Sequence, residues 1–408
     1  MTNYFYIAKS FKGEKISGQH EAKDQKELAK ILREEGFILI RADTEKKRFL
    51  KGRFYFLFYG LFFGKVSLKE KIIFTRNLRV MISAGVSLPR ALSTLSLQSR
   101  NKSFTRALLK IRSEIIKGKT FSETIKNHPN IFSNIYYNLV MIGEQSGTLI
   151  KSLDGLISQM EKDYKLRTNI RSALVYPSVI VFTMIVIGIL MITIVIPRLT
   201  ETFEEMGIEI PFTTKVLVGL SYFLIEKWYF VILAVLVFIF SAASYFKTKG
   251  GKKIIDYVFL RLPILSSLII KTSSAYIIRT LSTLIDAGLP ILQSLDVLCG
   301  SVENYYFRKS IITAREKVKS GESLTRSLES FVDLYTPMVL QMMQVGEETG
   351  KTTEVLKQTA DFLEEEVTRT TENLSTLIEP LIILLIGGAV GFFAVSIIQP
   401  IYQMMGAI

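Results

Sequence analysis

The stretch that decides the fold is Gly143-Glu144-Gln145-Ser146-Gly147, because it returns 203 positions later as Gly346-Glu347-Glu348-Thr349-Gly350. The same offset relates further pairs of residues without a gap: Arg76 and Arg279, Gly85 and Gly288, Gly118 and Gly321, Pro177 and Pro380, Gly188 and Gly391, and Pro197 and Pro400. Each copy begins in charged sequence with helical periodicity and ends in a charge-free apolar run. The duplicated unit is therefore predicted to be a cytosolic helical domain followed by a membrane helix.

The composition narrows the class of protein. Of the 408 residues, 49% are hydrophobic and 22% are charged, which fits membrane spans joined to soluble domains. The single cysteine, Cys299, excludes an intrachain disulfide and a zinc site made of cysteines. His20 and His128 lack the spacing of metal ligands, so no metal or other cofactor is expected. Residues 1–30 contain no apolar segment of the length that a secretory signal peptide needs.

Three apolar segments are long enough to cross a membrane. Ser178–Ile196 and Trp228–Phe246 contain no charged residue. The chain is also free of charge after Glu379, and Leu381–Ile398 is the most apolar part of that run. A helix of about 20 residues crosses a hydrocarbon core of about 30 Å. Aromatic residues at both ends of the second segment are typical of interfacial anchors.

Basic residues beside these segments predict their orientation. Four precede the first segment and six follow the second: Lys162, Lys165, Arg167 and Arg171, then Lys247, Lys249, Lys252, Lys253, Arg261 and Lys271. Because basic residues favour the cytoplasmic side, residues 1–177 and 247–376 are predicted to be cytoplasmic. The acidic 197–227 loop and the C-terminal tail are predicted to lie on the other side. This topology accounts for most of the net charge of +14, so a nucleic-acid partner is not expected.

The N-terminal region is predicted to be a β-β-α-β module over residues 1–45. Its signals are a Lys12-Gly13-Glu14 turn, a helix capping box from Asp24 to Glu27, and Gly36 where the helix stops. In the linker that follows, Phe54–Phe63 is rich in aromatic residues but too short to span a membrane. Two interpretations of it stay open: a helix or core segment, and a segment lying on the anionic inner leaflet.

Each copy is predicted to contain about six helices. The signals for helix starts and stops are Ser87 and Pro89 after Gly85, Thr120 and Ser323 as N-caps, Thr336 before Pro337, and Gly147 and Gly350 at C-terminal ends. The last helix of each copy runs into a membrane segment. Pro177 and Pro380 are expected to mark a break or kink where that segment begins. The membrane helices would thus be joined almost rigidly to the soluble domains.

These patterns predict an all-α polytopic membrane protein with two homologous cytoplasmic six-helix bundles, three transmembrane helices and a small N-terminal α+β module. The predicted division of the chain is a β-β-α-β module (1–45), a basic and aromatic linker (46–66), helical domain 1 (67–177), transmembrane helix 1 (178–197), an extracytoplasmic loop (198–227), transmembrane helix 2 (228–246), helical domain 2 (247–376), transmembrane helix 3 (377–399) and a short extracytoplasmic tail (400–408).

One motif resembles a phosphate-binding loop without fitting it. Between Gly346 and Gly350 there are three residues, whereas a P-loop needs four, and the preceding sequence is helical. Glu347 and Glu348 would repel a phosphate, and the first copy has no lysine at the equivalent position. Nucleotide binding is therefore not expected.

The repeated glycine–glutamate motif has two interpretations. In the structural one, Gly143, Gly147, Gly346 and Gly350 permit a tight interhelical turn, while Glu144 and Glu347 accept hydrogen bonds from the next helix's N-terminus. In the other, the glutamates contact a basic partner or a divalent ion. In the third membrane segment, Gly387 and Gly391 form a Gly-x-x-x-Gly pattern, which suits close packing against the first segment or against a second copy.

The chain shows no arrangement of residues that indicates catalysis. There is no nucleophile paired with a base and no cofactor motif, so an enzyme is not expected. Glu379 at the edge of the third segment could serve a proton pathway, although its position favours the interface. A small membrane transporter or another membrane scaffold is the alternative, but the first two segments offer almost no polar side chains for a substrate path.

Over essentially its whole length the chain resembles the inner-membrane platform proteins of type IV pilus and type II secretion machines, the secretion F family. The resemblance rests on Tyr4-x-Tyr6-x-Ala8, Lys12-Gly13, Glu21-Ala22, Leu32-Arg33-x-x-Gly36-Phe37, Ala84-Gly85-Val86, Ala287-Gly288-Leu289-Pro290, both glycine–glutamate motifs, Pro197 and Pro400. The first copy departs slightly, with Asn134 where the second has Pro337.

The resemblance implies a function and a set of partners. It implies a non-enzymatic platform that couples a cytoplasmic hexameric ATPase to the movement of pilins or pseudopilins from the membrane into a filament. The partners it implies are that ATPase, the pilins or pseudopilins, other inner-membrane assembly proteins, the lipid bilayer and a second copy in a homodimer. A pilus and a secretion system are not distinguished.

Overall fold

The structure is a computed structural model that describes residues 2–10, 15–22, 24–34, 36–44, 66–205, 212–246 and 248–406. The predictions for Lys12-Gly13-Glu14 and Phe54–Phe63 lie outside these residues. The chain divides into two compact units, one of residues 1–67 with 93–110 and the other of residues 68–92 with 111–408.

The N-terminal region forms a small antiparallel sheet with one helix. Strand β1 (Thr2–Ser10) lies in the middle and pairs with β2 (Lys15–Ala22) and with β3 (Phe37–Thr44). Helix α1 (Gln25–Glu34) begins where the carboxylate of Asp24 accepts a hydrogen bond from the backbone N–H of Glu27, at 2.7 Å. Side chains from α1, β1 and β2 form its core: Ala8, Ala22, Leu28 and Leu32.

The first repeat consists of six helices. They are α2 (Leu68–Ser83), α3 (Leu88–Gln98), α4 (Lys102–Ile116), α5 (Phe121–Lys126), α6 (Asn134–Gln145) and α7 (Leu149–Leu190). Thr120 caps α5 in a capping box with Glu123, as the sequence predicted. Gly147, which ends α6, has a φ of 70°, a conformation that glycine adopts without strain.

The segment between the repeats is largely helical. A π-helical turn, Met191–Val195, continues α7 into α8 (Ile196–Glu205). Helices α9 (Phe212–Glu226), α10 (Trp228–Phe246) and α11 (Lys249–Arg261) follow. The segment 198–227, expected as a loop, therefore contains most of α8 and all of α9.

The second repeat has the same series of helices. They are α12 (Pro263–Asp286), α13 (Ile291–Ser301), α14 (Tyr305–Lys319), α15 (Leu324–Leu328), α16 (Pro337–Thr349) and α17 (Thr352–Gly406). Helices α13 to α17 each begin 203 positions after their counterparts α3 to α7. The predicted N-caps Ser323 and Thr336 stand at the starts of α15 and α16, and Gly350 ends α16 with a φ of 67°. The duplication seen in the sequence is thus a duplication of structure.

The long helices are not broken at their prolines. Pro177 lies inside α7 and Pro380 lies inside α17. Of the predicted break or kink, the break is therefore wrong at both positions, and the kink stays a prediction. A proline removes only one backbone hydrogen bond of the helix. Near lipid, every further unpaired backbone group would be costly, which favours helical structure on both sides of each proline.

Within the part of the chain that the structure describes, three helices are long and apolar enough to cross a membrane: Leu149–Thr202, Trp228–Phe246 and Thr352–Ile398. Each contains one of the predicted membrane segments. Helix α9 packs beside the last of them, since the Thr214 hydroxyl donates a buried hydrogen bond to the carbonyl oxygen of Ser396 at 2.8 Å.

Candidate functional site

Glu144 caps a short helix of its own repeat. Its Oε1 atom lies 2.7 Å from the backbone nitrogen of Phe121, and its Oε2 atom lies 2.7 Å from that of Ser122. These N–H groups begin α5, where a helix has no internal acceptors and where its dipole favours a negative charge. The motif predicted donors from the N-terminus of the next helix. They come instead from the preceding short helix.

Glu347 makes the same cap in the second repeat. Its two carboxylate oxygens accept hydrogen bonds from the backbone nitrogens of Leu324, at 2.7 Å, and Thr325, at 3.1 Å. Because the donors and acceptors both recur at an offset of 203, the two glutamates have the same role in α5 and α15. Each carboxylate is held by two backbone donors of its own repeat.

The glycines of the motif allow two helices to approach closely. A Cβ atom on Gly143 would lie 2.9 Å from the Cα atom of Leu149, and one on Gly346 would lie 3.2 Å from the Cα atom of Thr352. A side chain at either position would therefore push α7 or α17 away from the preceding helix. The motif sets the start of the long helix that leads to the membrane segment.

A cluster of charged side chains joins the two repeats. Arg279 of α12 binds Glu364 of α17, with 2.8 Å between Nε and Oε1, and also binds Asp361. Lys162, from α7 of the first repeat, reaches the same two carboxylates at 2.8 Å for Glu364 and 3.0 Å for Asp361. We call these four residues the inter-repeat cluster. The side chains of Arg279 and Glu364 are only 7% and 9% exposed.

The electrostatics of this cluster favour the charged forms of Lys162 and Asp361. Burial opposes the charge of Lys162, but hydrogen bonds and attraction from Glu364 and Asp361 outweigh it and raise the pKa of Lys162. Burial likewise opposes the charge of Asp361, yet Lys162 and Arg279 lower its pKa below the ordinary value. Lys162 and Asp361 are therefore both charged at neutral pH.

Further contacts between the repeats lie beside the cluster, toward the N-terminal end of α7. The side-chain amide of Gln159 donates to the hydroxyl of Thr280 at 3.0 Å and accepts from that of Thr283 at 3.3 Å. At the end far from the membrane segments, Lys151 lies 3.4 Å from a carboxylate oxygen of Asp286. Helix α7 is thus fixed to the second repeat along several turns.

The first repeat contains the equivalent of the central pair, in a different environment. Arg76 binds Glu161, and these two residues correspond to Arg279 and Glu364 at the offset of 203. Their side chains are 61% and 40% exposed, against 7% and 9% in the second repeat. Arg76 and Arg279 recur in the sequence, but the repeat alone predicted no partner for them. The spacing from Arg76 to Glu161 equals that from Arg279 to Glu364, and this was the sequence signal that could have identified the two partners.

The remaining predicted residues lie apart from this interface. Pro177 is buried within α7, whereas Gly387 and Gly391 are exposed on α17. Among the residues that the structure describes, none has a heavy atom within 4 Å of a Cβ built on either glycine. Over the same residues, no group of three or more His, Cys, Asp or Glu side chains could hold a metal ion.

The fold and the interface define a helical protein made of two copies of one unit, with three helices able to cross a membrane. The family model of the type II secretion system (T2SS) protein F matches residues 74–197 and again residues 277–400. These two matches cover more than half of the chain and are offset by 203, like the repeats. The chain belongs to the type II secretion system protein F family.

Similar proteins come from both kinds of machinery. A type IV pilus assembly protein PilC of Thermus thermophilus is 32% identical, with 100% of this chain and 99% of the relative covered. The PilC of Myxococcus xanthus is also 32% identical, over 99% of this chain and 95% of the relative. A type II secretion system protein F of Vibrio cholerae is 25% identical, over 99% and 98%.

Proposed function

We propose that this protein is the inner-membrane platform of a type IV pilus or type II secretion machine. In this role it couples a cytoplasmic hexameric ATPase to the insertion of pilins or pseudopilins into a filament, without catalysing a reaction itself. The observation that carries the proposal is the continuity of α7 and α17, each of which runs from a soluble helical domain into a membrane segment. A force on the soluble domains would reach the membrane helices directly.

The inter-repeat cluster supports this mechanism. It ties α7 to α12 and α17 on the soluble side, so the two long helices cannot tilt independently. The two repeats, each a cytoplasmic six-helix bundle over residues 67–177 and 247–376, then move as one lever. We take the N-terminus and both bundles to be cytoplasmic because of the flanking basic residues.

The face of α17 that carries Gly387 and Gly391 is assigned to packing between helices in the membrane. Small residues let helix backbones approach closely in lipid, and this face is exposed in the single chain. A second copy of the protein is the expected occupant. A transporter is less well supported, because α10 carries no charged residue and contains no buried residue.

Photo-crosslinking in membranes tests the docking of the ATPase. The probes belong at Gln145 and Glu348, which are exposed beside the two capping glutamates and leave the caps intact. The proposal predicts adducts with the co-expressed assembly ATPase at one of these sites, lost when the ATPase is absent. A probe at Val390, beside the glycine face, serves as the control that should label only membrane-embedded partners or a second copy. Adducts with the ATPase at neither cytoplasmic site would contradict docking at this end of the bundles.

A further inference from the structure

Helix α11 has an apolar face that the described residues do not cover. Three residues spaced at helical intervals point outward, with Ile254 52% exposed, Tyr257 47% and Val258 46%. The exposed Leu262 extends the same face just beyond the end of the helix. A helix in contact with water normally turns such side chains toward the core. This outward face is therefore available to an apolar surface that the described residues do not supply.

The opposite face of α11 is firmly attached to the second repeat. The carboxylate of Asp256 accepts a hydrogen bond from the backbone N–H of Tyr305 at 2.7 Å, at the start of α14. Leu260 packs against the hydrophobic core of the second repeat. The helix cannot rotate to hide its apolar face without losing both contacts.

The turn before α11 fixes where the helix begins. Thr248 caps α11 by accepting from the backbone N–H of Gly251 at 3.1 Å, and its hydroxyl donates to the carbonyl oxygen of Tyr245 at 2.7 Å. Gly251 is buried so closely against that carbonyl that a Cβ atom would clash with it. The first turn of α11 is therefore held beside the C-terminal end of α10, which carries Tyr245 and Phe246.

The charge of α11 suits the headgroup region of a membrane that α10 crosses. The helix carries Lys249, Lys252, Lys253 and Arg261 against the single acid Asp256, whose carboxylate is used inside the protein. Lys253 and Arg261 are exposed and lie over the rings of Tyr305 and Tyr257, at 5.7 and 5.3 Å. Basic residues that flank an apolar helical face are the usual signature of a helix in the headgroup region of an anionic membrane.

We propose that α11 is an interfacial helix, which lies in the headgroup region beside α10 with its apolar face in the lipid and its basic residues on anionic phospholipids. The proposal rests on α10 crossing the membrane and is independent of which machine the protein serves. It gives the second repeat a fixed attachment to the membrane surface. The coupled movement of the bundles would then be a tilt about this attachment.

Spin labelling of the full-length protein in lipid nanodiscs tests the proposal. In a Cys299→Ser background, Val258→Cys carries the label on the apolar face. Val345→Cys is the matched control. Val345 is 44% exposed at the end of α16, close to the start of α17. The start of α17 is about 40 Å along that helix from Pro380. The measurement is the ratio of collisions with oxygen, which enters lipid, to collisions with a water-soluble nickel chelate.

In nanodiscs in which about a third of the lipid is phosphatidylglycerol, we expect this ratio to be several-fold higher at position 258 than at position 345. It should fall in nanodiscs of phosphatidylcholine alone, and also when Lys253→Gln and Arg261→Gln are introduced together. An equal ratio at the two positions would overturn the proposal. Exclusion of both reagents at position 258 would also overturn it and would assign the face to a second copy. Equal ratios in the two lipid compositions would contradict the proposed binding of the basic residues to anionic headgroups.

Discussion

Arg279→Ala is expected to destabilise the protein by about 3 kcal/mol. Removing one partner of a buried ion pair leaves the other charge without full compensation, which typically costs about 3–5 kcal/mol. The lower end applies because Lys162 stays 2.8 Å from Glu364 when the guanidinium is lost. The change is measured as the loss of unfolding free energy, by denaturant titration of the detergent-solubilised protein.

The duplication supplies a matched control for this substitution. Arg76→Ala removes the equivalent residue of the first repeat, whose pair with Glu161 is largely exposed. Exposed ion pairs contribute about 0–1 kcal/mol, so the loss should be at most about 1 kcal/mol. Equal losses for the two substitutions would show that burial in the interface does not set the strength of the pair.

Glu347→Ala is the second substitution expected to have a large effect. It leaves the backbone N–H groups of Leu324 and Thr325 without their charged acceptor. Hydrogen bonds to charged groups contribute about 1.5–3 kcal/mol each. At this half-buried site, water can hydrogen-bond the freed N–H groups and so offset part of the loss. We expect a loss of about 3 kcal/mol in the unfolding free energy of the solubilised protein.

Two neighbouring variants separate the cap from other effects of the change. Glu348→Ala removes an exposed carboxylate that binds only Gln344 among the described contacts, so its effect should stay within about 0.5 kcal/mol. Glu347→Gln keeps one acceptor oxygen and should retain about half of the stabilisation. If Glu347→Ala were as mild as Glu348→Ala, the cap would not be the role of this residue.

Local signals in the sequence identified the ends of several helices correctly. Thr120 and Ser323 hold helix N-termini with their own side chains, and Gly147 and Gly350 have the positive φ that glycine tolerates. These preferences act within a few residues, so they can be read without knowledge of the fold. The apolar segments were found for the same reason, since length and composition alone define them.

Contacts between distant segments could not be predicted in the same way. Arg76 and Arg279 occupy equivalent positions, and nothing near them in the sequence shows that only Arg279 is buried. The difference arises because α7 of the first repeat covers the second. The donors of Glu144 were misassigned for a similar reason, since α5 reaches this carboxylate only through the folding of the chain.

The proposed coupling is tested most directly by interrupting α7 where it enters the membrane. A short Gly-Ser insertion after Tyr176 makes the joint flexible, and the same insertion after Gly118, in an exposed turn, is the control. Filament assembly is measured in cells that lack the native protein, together with the amount of each variant in the membrane. The account predicts that the insertion after Tyr176 abolishes assembly at a normal membrane level, whereas the control retains it. Assembly that persists with the insertion after Tyr176 would contradict the transmission of force through a continuous helix.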